Sequence, residues 1–302
     1  MNYLHIIRYQ NLLFIALAQV LIKYALFQPM GVASGLTDFE FFLLVLATLC
    51  IAAGGYVIND VYDVIVDTIN KPEKVLIGKK ISETIAYRLF IIFNVAGVLI
   101  GFYLSNSIGK PGFSALFIIF SALLYLYASY LKGIVLIGNL LVSVLVAMSL
   151  IIIAVFDLLP AITPENQSIQ AAAFRIVLYY ALFAFFINFI REIVKDLQDI
   201  NGDKKLDLQT LPIVLGRKRT TSIVFALGVL LVLGIVFYMY AHLYNYQTVL
   251  LYFLFALVAP LLYFCVTAWD AKSKKEYAFL SRLLKLIMFL GICSIPLIQL
   301  TF

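Results

Sequence analysis

From Ile134 to Phe156 the chain carries no charged side chain, and this run is one of about nine apolar stretches close to twenty residues long. In helical form a segment of that length crosses the roughly 30 Å hydrocarbon core of a bilayer. A transmembrane β-strand would be about half as long and would alternate apolar and polar positions, a pattern these runs lack. The chain is therefore expected to be an all-α integral membrane protein. Hydrophobic residues make up 64% and charged residues 13% of the sequence, with a mean hydropathy of +1.04. A water-soluble globular domain does not carry that balance.

A window of about nineteen residues places the spans at 11–30, 39–59, 84–105, 112–131, 134–157, 171–191, 219–241, 247–269 and 280–301. The first run lacks a small-residue cleavage site and is read as a retained span. Cys50, Cys265 and Cys293 fall inside apolar runs with no CxxC pairing, so they read as packing residues. His5 and His242 fall on opposite sides of this layout, which argues against a histidine-centred mechanism.

Lysines and arginines crowd the alternate connections, among them Lys71, Lys74, Lys132, Lys195, Lys204, Arg217 and Lys272, while Lys110 and Arg175 flank the other side. By the positive-inside rule the basic side is cytoplasmic, with the N-terminus inside and the C-terminus outside. The net charge of +6 then meets anionic lipid headgroups, and the partner it implies is the bilayer, not nucleic acid.

Two long basic loops, 60–83 and 192–218, also hold ten of the sixteen acidic residues. Asp60, Asp63 and Asp67 lie 136 positions before Asp196, Asp199 and Asp203. Four spans separate the two sets, so both enter the cytoplasm in the same direction, as in a parallel repeat. This suggests a single domain, 1–302, built from two helix-bundle halves at roughly 1–157 and 158–302. On a helix, positions i, i+3 and i+7 share a face, which places each triplet on one face where its span leaves the membrane. Clustered carboxylates repel unless a cation sits among them, and hard oxygen ligands of this kind suit Mg²⁺ shared with a substrate phosphate. Lys71, Lys74, Arg191 and Lys195 would cover the remaining phosphate oxygens. A single acidic cluster at a helix end is ordinarily a solvated surface; two in the same register point to a diphosphate site.

The stretch "NDVYDVIVDTINKPEK" resembles the first aspartate-rich motif of the UbiA superfamily of intramembrane prenyltransferases, and "KDLQDINGDKKLDLQTLPIVLG" resembles its second. "YLYASYLKGIVLIGN" is similar to the family's tyrosine-to-lysine segment, and "IRYQN", with Tyr9 in place of the usual proline, to its opening motif. The resemblance implies a UbiA-like bundle of about nine helices around a central cavity. It implies that Asn59, Asp63, Asp67, Asp199 and Asp203 hold Mg²⁺, with Asp60 and Asp196 in support, and that Asp63, Asp67, Asp199 and Asp203 are the catalytic carboxylates. Lys71, Lys74, Lys132, Arg191, Lys195, Tyr127, Arg8 and Asn11 would then meet the diphosphate or the prenyl chain. Lys74 and Val75 stand where the family often has Arg-Pro, so a point charge replaces a bidentate grip.

The implied chemistry is loss of diphosphate from an allylic donor, with a developing cation shielded from water and faced by aromatic rings. Of the nineteen tyrosines and twenty-five phenylalanines most must pack against lipid or other helices; Tyr125, Tyr127 and Tyr130, preceding Lys132, are the better candidates. The second motif is most similar to the branch that makes archaeal-type ether lipids, so the expected acceptor is a glycerol-phosphate lipid hydroxyl. The alternative is an aromatic acceptor of the 4-hydroxybenzoate, homogentisate or naphthoate type. A cation transporter is the competing class, and it is disfavoured because the carboxylates sit at helix ends and not at mid-membrane. Lys23, past the middle of the first span, is expected to snorkel to the outer headgroups, and Lys285 likewise to the near ones.

Overall fold

The computed structural model describes residues 2–73 and 75–301. Among them are nine helices long and apolar enough to cross a membrane. We number these α1 (Tyr9–Phe27), α2 (Asp38–Tyr62), α3 (Glu83–Ser107), α4 (Pro111–Ser129), α5 (Ile137–Ala161), α6 (Gln167–Lys205), α7 (Arg217–Leu243), α8 (Gln247–Asp270) and α9 (Lys274–Thr301). The chain is a multi-pass integral membrane protein. Among the described residues the sole β-type pairing is a bridge between Ile77 and Ile81.

Helix starts are written locally. Thr37 and Glu40 form a reciprocal capping box at α2, as do Ser273 and Glu276 at α9, and the Ser82 hydroxyl caps α3. In the bundle α2 packs most extensively on α3, α5 on α6, and α6 on α9. Glycine permits close approaches between helices: a side chain at Gly97 would strike Ile51 on α2, and one at Gly101 would strike Phe117 on α4. The outer surface is apolar, with Phe237 71% and Phe255 69% exposed, as a lipid-facing wall requires.

Two features differ from the sequence expectation. The first motif does not lie on one continuous helix: α2 stops at Tyr62, Asp63 sits in a turn, and a short helix follows at Val64–Asn70. The second motif does, because α6 runs 39 residues. At 1.5 Å per residue that is about 58 Å, so its last turns stand clear of a bilayer core of roughly 30 Å.

Lys23 does not snorkel. It is 7% exposed, with its ammonium 2.9 Å from Asp157 Oδ2 and 3.1 Å from the Leu36 carbonyl. The Ser34 hydroxyl and the Leu36 amide also bind Asp157 Oδ1, at 2.5 and 3.0 Å. A buried ammonium needs a counter-ion and oxygens nearby, and the loop before α2 together with the end of α5 supplies both. Nearby, Gln19 Nε2 donates to the Ser149 carbonyl at 2.7 Å, tying α1 to α5. Lys285 departs from expectation as well. It faces inward over the Phe14 ring at 5.2 Å.

Candidate active site

One cavity of about 1370 Å³ opens at the end of the bundle that carries both aspartate motifs. Asn59, Asp60, Asp63, Asp67, Asp196, Asp199 and Asp203 all line it, as do Arg8, Asn11, Lys71, Tyr127, Lys132, Arg191 and Lys195. Lys74 falls outside the described residues. Segments distant in sequence therefore converge on one volume.

The carboxylates are met by cations from other segments. Lys132 Nζ lies 2.5 Å from Asp63 Oδ1, Lys71 Nζ 2.5 Å from Asp199 Oδ2, and Arg8 Nη2 2.7 Å from Asp60 Oδ1. Lys71 follows the first motif and pairs with the second, so the pairings cross between the loops. Amide and hydroxyl donors cover further lone pairs. Asn59 Nδ2 donates to Asp63 Oδ2 at 2.5 Å, Asn139 Nδ2 to Asp196 Oδ2 at 2.8 Å, and Thr210 Oγ1 to Asp203 Oδ2 at 3.4 Å. Burial, followed by the charge of Asp63, pushes the Asp67 carboxyl above its usual value.

Two acceptors in this set are buried with no hydrogen-bond partner: Asn59 Oδ1 and Asp199 Oδ1. Orphaned buried oxygens, one on each motif, cost free energy unless something cationic or donating meets them. Among the described residues no three acidic, histidine or cysteine side chains close into a metal cage by themselves. That donor set fits Mg²⁺, which takes one or two carboxylates and completes its octahedron with water and substrate phosphate.

Among the described residues three non-glycine positions have positive φ: Arg8 at 50°, which lines the cavity, Leu136 at 62° and Asp207 at 52°. Such backbone is held against its steric cost by its surroundings. At Arg8 it accompanies the contact with Asp60, and at Leu136 it starts the turn into α5 that carries Asn139. Away from the motifs the cavity wall becomes apolar and aromatic, with Phe14, Phe117, Phe120, Leu124, Val146 and Ile295.

Of the three candidate tyrosines, Tyr127 alone lines the cavity. Tyr125 is 40% exposed and shares a hydrogen bond of 3.2 Å with Tyr62, while Tyr130 is 69% exposed. Positions two apart on a helix point to different sides, and Tyr130 lies just past the end of α4. Sequence reasoning missed Glu192, buried between Lys195 at 2.9 Å and Arg191 at 3.5 Å. Its place one turn before Asp196 was the available signal. His5, set aside from the sequence, lines the cavity mouth.

Residues 14–290 match the profile of the UbiA prenyltransferase family. A digeranylgeranylglyceryl phosphate synthase of Sulfolobus acidocaldarius is 38% identical over 192 residues, which cover 63% of this chain and 63% of that protein. That alignment spans less than two thirds of the relative's length. A digeranylgeranylglyceryl phosphate synthase of Korarchaeum cryptofilum is 31% identical over 263 residues, 84% of this chain and 85% of that one. A solved UbiA homologue from Archaeoglobus fulgidus, bound to GPP and Mg²⁺, superposes with a TM-score of 0.58 at 16% identity over 98% of this chain and 99% of its own.

Proposed function

This chain belongs to the UbiA prenyltransferase family, and from that premise we infer that it transfers a geranylgeranyl group from an allylic diphosphate to the hydroxyl of geranylgeranylglycerol phosphate. The observation that carries the reading is the single cavity in which both aspartate motifs, their lysines and two orphaned oxygens meet above an apolar wall. Such a cavity suits a substrate with a diphosphate at one end and a hydrocarbon chain at the other. The relatives named above add the acceptor class, since they are synthases of the doubly prenylated glycerol phosphate.

In this reading Asn59, Asp63, Asp67, Asp199 and Asp203, with Asp60 and Asp196 in support, hold Mg²⁺. When bound, the metal neutralises the diphosphate and so weakens its bond to carbon. Lys71 and Lys132, paired with Asp199 and Asp63 here, would turn to the diphosphate oxygens once those carboxylates serve as metal ligands. The C–O bond of the donor breaks with its electron pair leaving on the diphosphate. The acceptor oxygen bonds to the allylic carbon and its proton is released, giving an ether and free diphosphate. Tyr127 and the aromatic wall face the developing cation and keep water from it. Arg8 holds Asp60 in place, and with Asn11, which also lines the cavity, would meet the substrate.

The crowding of basic residues at the motif end supports placing that end in the cytoplasm, with the N-terminus inside and the C-terminus outside. The matched spacing of the two motifs likewise supports two parallel halves, 1–157 and 158–302.

The test is mass spectrometry of products from reconstituted protein given Mg²⁺, geranylgeranyl diphosphate, and geranylgeranylglycerol phosphate mixed with aromatic acceptors, beside an Asp63→Ala control. A doubly prenylated glycerol phosphate absent from the control is expected. A prenylated aromatic alone would move the protein to quinone synthesis.

A further inference from the structure

We propose that Lys285 and Arg282 on α9, with Arg191 on α6, form a second anion subsite in the cavity that takes the phosphate of the acceptor. The proposal rests on the acceptor named above. The donor diphosphate has its own cations, Lys71 and Lys132, which are paired with Asp199 and Asp63 at the motif end. The α9 cations stand elsewhere.

Ala278, Ser281, Arg282, Lys285 and Met288 line the cavity, a spacing of three and four residues that turns one stripe of α9 inward. Arg191 crosses from α6 to this stripe, with its Nε 3.4 Å from the Ser281 carbonyl. Lys285 lies one turn further along the same face, its ammonium over the Phe14 ring, and Phe14 in turn stacks on Phe289 at 5.4 Å. Two measures separate this group from the motif end. Lys274, at the start of α9, reaches the Asn70 carbonyl at 2.5 Å, and Lys285 follows about 16 Å of helix rise later. On α6, Arg191 precedes Asp199 by about 12 Å of rise.

The charge balance names the ligand. Arg191 and Lys195 share the single carboxylate of Glu192. Lys285 and Arg282 form no ion pair among the described residues. Asp196, next to Lys195 on α6, also lines the cavity, so four cations face two carboxylates beside a low-dielectric wall, an excess that a phosphate dianion matches better than a carboxylate monoanion does. A ring under Lys285 orients its charge without neutralising it. An acceptor phosphate held here presents a glycerol hydroxyl, a few bonds away, toward the donor carbon next to the diphosphate. Its own hydrocarbon chain then leaves along Phe14 and Phe289, between α1 and α9.

The experiment compares geranylgeranylglycerol phosphate with its dephosphorylated alcohol as acceptors, for Mg²⁺-loaded reconstituted wild type, Lys285→Met, Arg282→Gln, the double variant and Lys285→Arg. The preference for the phosphorylated acceptor, as a ratio of kcat/KM values, is expected to fall about tenfold or more in Lys285→Met and further in the double variant. Lys285→Arg should keep most of it, and the KM for geranylgeranyl diphosphate should stay within about twofold throughout. Arg282→Gln, at the exposed rim, gives an answer even where Lys285→Met fails to fold. An unchanged preference, or a rise in donor KM that accounts for the loss, overturns the subsite while leaving the acceptor assignment intact. A wild type inert toward the glycerol phosphate but active on 4-hydroxybenzoate overturns both.

Discussion

Asn70 at the end of the first motif clasps Gly202 in the second. Its Oδ1 accepts from the Gly202 amide at 3.1 Å while its Nδ2 donates to the Asp199 carbonyl at 2.9 Å. The two loops, far apart in sequence, are locked backbone to side chain, and this lock sets where Asp199 stands relative to Asp63 and Asp67. It also gives a reason for the glycine in D-x-x-G-D, since a Cβ at Gly202 would collide with the Asn70 amide.

Gly202→Ala should therefore cost about 1–3 kcal/mol, from one strained contact and the loss of buried hydrogen bonds. Thermal unfolding should show the loss, and kcat should fall on the order of tenfold as the carboxylates separate. Because Asn70→Ala removes the same clasp, the double variant should lose less than the sum of the two. Strict additivity would mean that the clasp is not shared.

Lys132 pairs with Asp63, one of the carboxylates proposed to hold the metal, and on that proposal it competes with metal in the absence of substrate. Lys132→Gln should then bind Mn²⁺, as a reporter for Mg²⁺, roughly 3–10 times more tightly without donor, because a carboxylate loses its internal counter-ion. Turnover should move the opposite way, dropping about 100-fold, since a diphosphate-facing cation is gone. Metal titration by electron paramagnetic resonance, beside steady-state kinetics, reads both. Weaker metal binding in the variant would show that Lys132 supports the metal site and does not compete with it.

Lys23→Met leaves Asp157 fully buried with no counter-ion. The expected cost is about 3–5 kcal/mol, read as a lowered melting temperature in detergent. A Lys23→Met, Asp157→Leu pair should recover part of it, because an apolar pair of similar volume removes the uncompensated charge. Recovery should be incomplete, since Ser34 and the Leu36 amide also bind Asp157. A single variant as stable as wild type would show the ion pair to be energetically idle.

Val146 lies on the cavity wall about 10 Å of α5 rise beyond Asn139, which holds Asp196. Val146→Trp should fill the volume that a long donor chain uses and spare a short one. The ratio of kcat/KM for geranylgeranyl over geranyl diphosphate should fall about tenfold or more. Competition between the two donors, read by product mass, checks it, and an unchanged ratio would place the prenyl chain elsewhere in the cavity.

The bilayer made much of this protein legible without coordinates. Lipid requires every backbone group to be satisfied within its own segment, so apolar runs of twenty residues had to be helices, and the nine observed spans overlap the nine expected. The aspartate motifs were legible by their repetition. One acidic cluster at a helix end is ordinary, but two triplets in one register are not, and all six of those aspartates line a single cavity.

The sequence could not say which way an inward side chain turns. In water, an amphipathic helix announces its buried face by contrast. Here the lipid and the core are both apolar, and the contrast is lost. So Tyr125 and Tyr130 stayed candidates beside Tyr127, the tyrosine expected in the site, and Lys285 looked like a headgroup anchor, until packing fixed the rotation of each helix. Lys23 needed a partner 134 positions away, and Asn70 needed Gly202, contacts that no local pattern encodes. The sequence alone determined the membrane helices and the two matched clusters of carboxylates, because solvation by lipid and the spacing of side chains along a helix act locally. The tertiary structure alone decided which cation meets which carboxylate, because that depends on how nine apolar rods, equally at ease on any face, pack against one another.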